Sequence, residues 1–160
     1  MQDRTILVGN DDEAEVRLIR RAFAKTGSLA TIQFASDGEQ VLAHLKGEPP
    51  FANRKLFPFP DLLLLDLRLP RVNGVEVLEE VRAHPLLKRL PVIVLSASDR
   101  PKDIALALEA GANSFLTKPS RPRELVSMIR AIQDYWLTWN RTTFVQSPQV
   151  SRQRRQQGQS

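Results

Sequence analysis

Three features of this chain predict a doubly wound α/β sandwich, with five parallel strands and helices on both faces. Five short apolar runs alternate with five stretches of helical periodicity, the pattern of successive βαβ units joined by right-handed crossovers. The run Leu62-Leu63-Leu64-Leu65 is too short to span a bilayer and too apolar for a half-exposed strand. It reads as a central strand buried on both faces. The carboxylate of Asp66 follows at once, and Pro70 and Gly74 then turn the chain away. In open parallel sheets, ligands and chemistry gather at the carboxyl ends of the strands.

The first strand is Thr5-Ile6-Leu7-Val8, closed by Gly9-Asn10-Asp11-Asp12. Asp12 and Glu15, three positions apart, have the spacing of a capping box that opens a helix. That helix carries Val16, Ile19, Ala22 and Phe23 on one stripe, with Arg17, Arg20 and Arg21 off it, and stops at Thr26-Gly27. A second strand spans 30–35. Ser36-Asp37-Gly38-Glu39 then announces a helix with Val41, Leu42 and Leu45, ending at Gly47. After the Asp66 strand, 74–83 is a helix with Val75, Val77, Leu78 and Val81 as its apolar positions. Pro91 to Leu95 is the fourth strand, ending at Ser96-Ala97-Ser98. Pro101 suits a first helical turn and Gly111 a C-terminal stop. The fifth strand, 113–117, ends at Lys118-Pro119. Ser120 is expected to cap a last helix striped by Leu125, Ile129, Ile132 and Trp136.

One connection stands apart. Residues 48–60 hold four prolines, which exclude regular structure, yet also Phe51, Leu56, Phe57 and Phe59. Long loops in small domains tend to be functional or disordered. Two outcomes are open here: the aromatics fold back onto the domain, or they form a partner surface.

With 160 residues, 42% of them hydrophobic and 26% charged, the chain has the composition of one soluble domain. It has no cysteine, hence no disulfide framework or thiolate chemistry. No apolar run approaches the roughly 20 residues of a membrane span. The start Met1-Gln2-Asp3-Arg4 lacks the basic and apolar regions of a signal peptide. A cytoplasmic location without membrane association is expected. The net charge of +5 is concentrated: all 18 acids lie within residues 1–140, whereas Arg141, Arg152, Arg154 and Arg155 are unopposed. Residues 1–140 are therefore expected to form the folded domain, and 141–160 a basic, Gln- and Ser-rich disordered tail. A solvated terminus explains that tail better than a nucleic-acid-binding arm does.

Four of the five strands end in polar residues that one edge of the sheet would bring together: Asn10 and Asp11, Asp66, Ser96, and Lys118. Each alone has a plain explanation as a turn, cap or surface residue. Jointly they suit phosphoryl transfer to a carboxylate. Asp66 would be the nucleophile. Asp11, Asp66 and the Arg68 backbone carbonyl would offer oxygen ligands to Mg²⁺. Lys118 would neutralise phosphoryl oxygens and Ser96 would give them a hydroxyl hydrogen bond. His44 and His84 lie outside this set and read as surface or structural residues.

These residues resemble the receiver domain of two-component response regulators over about residues 4–139. The resemblance rests on Asn10-Asp11, the Asp61-to-Asp66 acceptor context, Pro70, Gly74, Ser96-Ala97 and Lys118-Pro119. It implies a flavodoxin-like receiver fold with strand order 2-1-3-4-5. It further implies acceptance of phosphate by Asp66 from a histidine kinase, and Ser96 and Phe115 as a switch pair. In that family the Lys-Pro bond is usually cis. Asn10 departs from the usual pair of acids. It keeps an oxygen but loses a charge, so it is expected to bind Mg²⁺ weakly or through water. The 48–60 loop and the Asp134-Tyr135-Trp136-Leu137 helix end look like the regulators paired with bacterial phytochromes, many of them dimers through the last helix. Tyr135, Leu137 and Trp139 exceed one core-facing stripe, which fits a homodimer surface.

About twenty residues follow Trp139, too few for an output domain. A stand-alone receiver acting through protein–protein contact or phosphate relay is expected. A haloacid-dehalogenase-like phosphatase would want a second Asp two residues after the nucleophile, where Arg68 stands, so no enzyme is expected. The rival reading is a pseudo-receiver: a dimeric scaffold that does not depend on phosphorylation.

Overall fold

The computed structural model describes residues 3–141. Its middle strand is Leu62–Leu65 (β3), flanked by Thr5–Gly9 (β1) and Val92–Ser96 (β4), with Thr31–Ala35 (β2) and Ser114–Thr117 (β5) at the edges. The sheet order is β2-β1-β3-β4-β5 and every neighbouring pair is parallel. Five helices alternate with the strands: Glu13–Lys25 (α1), Gly38–Lys46 (α2), Gly74–Ala83 (α3), Pro101–Ala110 (α4) and Pro122–Gln133 (α5). No helix among the described residues is long and apolar enough to cross a membrane.

The four leucines of β3 are all fully buried, and alternate ones serve opposite faces. Leu63 and Leu65 join Leu7, Val92 and Val94 against the apolar sides of α2, α3 and α4. Leu62 and Leu64 join Ile6, Val8 and Ile93 against α1 and α5. A strand with helices on both sides has no polar face to show, which is why its sequence does not alternate. Each such leucine contributes about 1.5–3 kcal/mol relative to exposure.

Local signals set most helix ends. Asp12 Oδ1 accepts from the Ala14 and Glu15 N–H groups, Asp37 Oδ1 from Gln40 N–H, and Asn73 Oδ1 from Glu76 N–H. Gly47 and Gly111 close α2 and α4 in left-handed backbone. Two expectations fail here. Ser120 does not cap α5: Arg121 holds the N-cap position with no side-chain bond, and Pro122 stands in the first turn. Glu15 does not complete the capping box, because Asn10 Oδ1 has already taken the Asp12 N–H.

The aromatics of the 48–60 loop fold back onto the domain. Phe51 packs tilted and Phe57 edge-on against the His44 ring, at centroid distances of 5.2 and 5.9 Å. Arg54 reaches past them to the last turn of α2 and donates to the carbonyls of His44 and Leu45 and to that of Phe57. It thus satisfies carbonyls that a helix end leaves open. His44 is buried, and neither ring nitrogen finds a partner among the described residues. Burial, and then the charge of Arg54, lower its pKa to about 4.

Beyond Gln133 the last helix continues as a π-helical turn, Asp134–Trp139. The wider winding turns both Trp136 and Leu137 toward the core. Leu137 therefore does not belong to an open surface, contrary to expectation, whereas Tyr135 and Trp139 do. The tail expected over 141–160 lies, from residue 142 onward, outside the described residues.

Candidate functional site

The carboxyl ends of β1, β3, β4 and β5 meet around a cleft of about 600 Å³, lined by Asp11, Asp12, Glu15, Asp66, Arg68, Ser96 and Lys118 among others. Backbone hydrogen bonds carry the sheet into these loops. Asp66 N–H donates to the Gly9 carbonyl at 2.9 Å, and Lys118 N–H donates to that of Ser96 at 2.7 Å. The turn after Asp66 depends on Gly74. A Cβ there would stand 2.5 Å from the Asp66 carbonyl oxygen and 2.6 Å from Leu67 Cα. The glycine noted in the sequence thus lets α3 start directly under the acid.

Asp66 is held at both oxygens. Oδ1 accepts the Arg68 N–H at 3.1 Å and Oδ2 accepts from Lys118 Nζ at 2.8 Å. Lys118 reaches it through a trans peptide bond to Pro119, since the one cis bond among the described residues is Pro49–Pro50. The cis geometry expected from the resemblance is therefore absent here, and the lysine still meets the acid. Ser96 is buried at the end of β4, and its Oγ accepts the Ser98 N–H at 3.1 Å. Ser98 is tied in turn to Asp103, and its carbonyl accepts from Thr117 Oγ1. Phe115 is partly buried against the α2, α3 and α4 side of the sheet.

The sequence points to Asn10 as a metal ligand and gives Glu15 no place in the site. The structure brings Glu15 into the cleft, where its Oε2 accepts from Lys118 Nζ at 2.5 Å and from Asn10 Nδ2 at 2.8 Å. Asn10 is buried, and both ends of its amide are engaged. It does not line this cleft. The Asp12–Glu15 spacing marked Glu15 only as a helix cap.

The cleft walls carry more carboxylates than cations, a field that draws divalent cations. Among the described residues no three His, Asp or Glu side chains converge to hold a metal ion. Mg²⁺ binds through one or two carboxylates and keeps several waters, and Asp11 and Asp66 are among the carboxylates on the cleft wall.

Residues 6–130 match the response regulator receiver domain family. The chain belongs to that family. Rcp1, a response regulator of Synechocystis sp., is 34% identical over 134 residues, covering 84% of this chain and 89% of that protein. The Mn²⁺-bound structure of Rcp1 superposes with a TM-score of 0.78 and covers 88% of this chain and 99% of its own. The phosphorylated cyanobacterial phytochrome response regulator RcpA is 34% identical with a TM-score of 0.80, covering 88% and 98%. The response regulator RPA3017, in red light signalling of R. palustris, is 33% identical with a TM-score of 0.84, covering 88% and 99%. The fold is the flavodoxin-like receiver fold, and the similarity extends to phytochrome-associated regulators. Receiver domains are signalling domains that bind Mg²⁺.

Proposed function

We propose that Asp66 accepts a phosphoryl group from a phosphohistidine of a histidine kinase of the bacteriophytochrome class, in a Mg²⁺-dependent reaction. The observation that carries this reading is the pairing of Asp66 with Lys118 at 2.8 Å, in a cleft that also holds Asp11 and Ser96. Similarity to phytochrome response regulators supports the choice of donor.

In this reading an Asp66 carboxylate oxygen attacks phosphorus. The O–P bond forms as the N–P bond to imidazole breaks, and the imidazole leaves with the electron pair. The Arg68 N–H steadies one carboxyl oxygen while the Lys118 ammonium moves onto a phosphoryl oxygen. Mg²⁺, held by Asp11, Asp66 and the Arg68 carbonyl, would supply charge neutralisation at the phosphoryl oxygens. Because Ser96 Oγ accepts from Ser98 N–H, its own proton is what it has to offer the phosphoryl group. Its movement would let Phe115 turn inward and reshape the face formed by α4, β5 and α5. Output then passes through protein contacts. Exposed Tyr135 and Trp139 support a homodimer through the last-helix region. Residues 1–140 act as the receiver and 141–160 as a separate basic tail.

The test is the intact mass of the protein after incubation with acetyl phosphate, with and without Mg²⁺, alongside Asp66→Ala. A single Mg²⁺-dependent phosphoryl adduct, absent from the variant, is expected. A folded protein that gains none at saturating Mg²⁺ overturns the reading and favours the phosphorylation-independent scaffold.

A further inference from the structure

Lys118 is shared between two acids. Its ammonium lies 2.8 Å from Asp66 Oδ2 and 2.5 Å from Glu15 Oε2, with the side chain only 13% exposed. The same Glu15 oxygen accepts from Asn10 Nδ2 at 2.8 Å. Asn10 is 3% exposed, and its Oδ1 is occupied by the Asp12 N–H. A carboxylate at position 10 could accept from Asp12 equally well. It could give Glu15 no proton, and would set a second negative charge at hydrogen-bond distance from it. The amide at position 10 and the acid at position 15 therefore form one unit.

We infer that Glu15 is a positioning residue for phosphoryl acceptance at Asp66. Fastened by Asn10, it brings into the cleft the negative charge that an amide at position 10 leaves out, and it draws the Lys118 ammonium partly away from Asp66. The inference rests on the proposed function and deepens it. A divalent cation approaching Asp66 must compete with Lys118 for the carboxylate. Glu15 weakens that competitor by sharing it, and its own charge attracts the cation. Both effects favour the metal. A simple capping role does not account for Glu15, because the N–H it would cap is already bonded.

The test is calorimetric titration of the unphosphorylated full chain with MgCl₂, for the wild type, Glu15→Gln, Asn10→Asp and the double variant. Gln keeps an oxygen that accepts from both Asn10 and Lys118, and urea midpoints check that each variant folds. Glu15→Gln is expected to weaken Mg²⁺ binding by about five-fold or more. Asn10→Asp adds a charge but expels Glu15, so its gain in affinity is expected to be at least about five-fold larger when Glu15 is already Gln. A change below about two-fold for Glu15→Gln, or effects that multiply independently, overturns the inference. Acetyl phosphate labelling of the wild type reports separately on the parent reading. An adduct with independent Mg²⁺ effects leaves Asp66 the acceptor and removes Glu15 from its role. Coupled Mg²⁺ affinities without an adduct refute the acceptor and with it the role of Glu15 in phosphoryl acceptance, leaving Glu15 only a determinant of Mg²⁺ affinity. A wild-type chain that binds no Mg²⁺ overturns both.

Discussion

Acidification from pH 7 to 5 should destabilise this protein through one side chain outside the cleft. His44 closes the buried face of α2 at 1% exposure, with Phe51 and Phe57 around its ring. A histidine near a helix C-terminus would ordinarily gain from being charged. Here burial, reinforced by the Arg54 guanidinium, lowers its pKa from 6.5 to about 4. The unfolded chain therefore takes up a proton as pH falls through 6.5, while the folded chain refuses it until about pH 4. Unfolding gains protons throughout that window, so stability drops as pH drops. The full difference corresponds to about 3 kcal/mol, of which about 2 kcal/mol is lost by pH 5. Urea unfolding followed by circular dichroism at pH 7, 6 and 5 measures it. His44→Phe serves as the reference, because the carboxylates titrate alike in both chains. The slope of stability against pH is compared, so any packing cost of the larger ring drops out. Wild-type and His44→Phe chains that lose the same stability between pH 7 and 5 would refute the reasoning.

Three further outcomes follow from the same structure. Arg54→Met should lower stability by about 2 kcal/mol, measured by urea unfolding at pH 7, since three backbone carbonyls each lose a donor, that of His44 keeping only the Gly47 N–H, while the aliphatic packing is largely kept. Gly74→Ala places a Cβ against the backbone of Asp66 and Leu67. It should cost about 1–3 kcal/mol in a thermal melt and slow acetyl phosphate labelling, because the acceptor loop must shift. Lys118→Met leaves Asp66 and Glu15 without their shared cation. It should cut the labelling rate by at least about ten-fold, and an unchanged rate would remove Lys118 from the proposed chemistry.

Much of the fold was legible because local chemistry decides it. Asp12 and Asp37 cap where their side chains can reach the next N–H groups, and Gly111 stops α4 because few other residues accept its φ of 113°. β3 could be read from four leucines because burial on both faces leaves no other use for such a run. What escaped the sequence was cooperation over distance. Nothing local says that Arg54 will finish α2, or that Arg82 will reach the carbonyls of Leu90 and Gly111 and the side chain of Asn113. Arginine stems are long, and burial at both sites is deep enough to lower each guanidinium pKa. Their partners emerge only once helices and strands have docked. The π-helical turn is a similar case. An α-helical stripe through Trp136 leaves Leu137 outside, whereas the wider winding packs both.

The site divides along the same line. Asp66, Ser96 and Lys118 were readable because a strand end in a parallel sheet assigns each a place on a shared edge. Glu15 was not, because its spacing to Asp12 fits a capping box and the competing claim on the Asp12 N–H comes from a buried amide two residues earlier. Its decisive partner, Lys118, is 103 residues away along the chain. Reading position 10 as a lost charge compares one residue with one residue. The cation and the phosphoryl oxygens that this cleft is proposed to hold respond instead to all the charge around them. Summed that way, the negative charge missing at Asn10 is restored five residues later by Glu15, with the amide proton of Asn10 keeping it in the cleft.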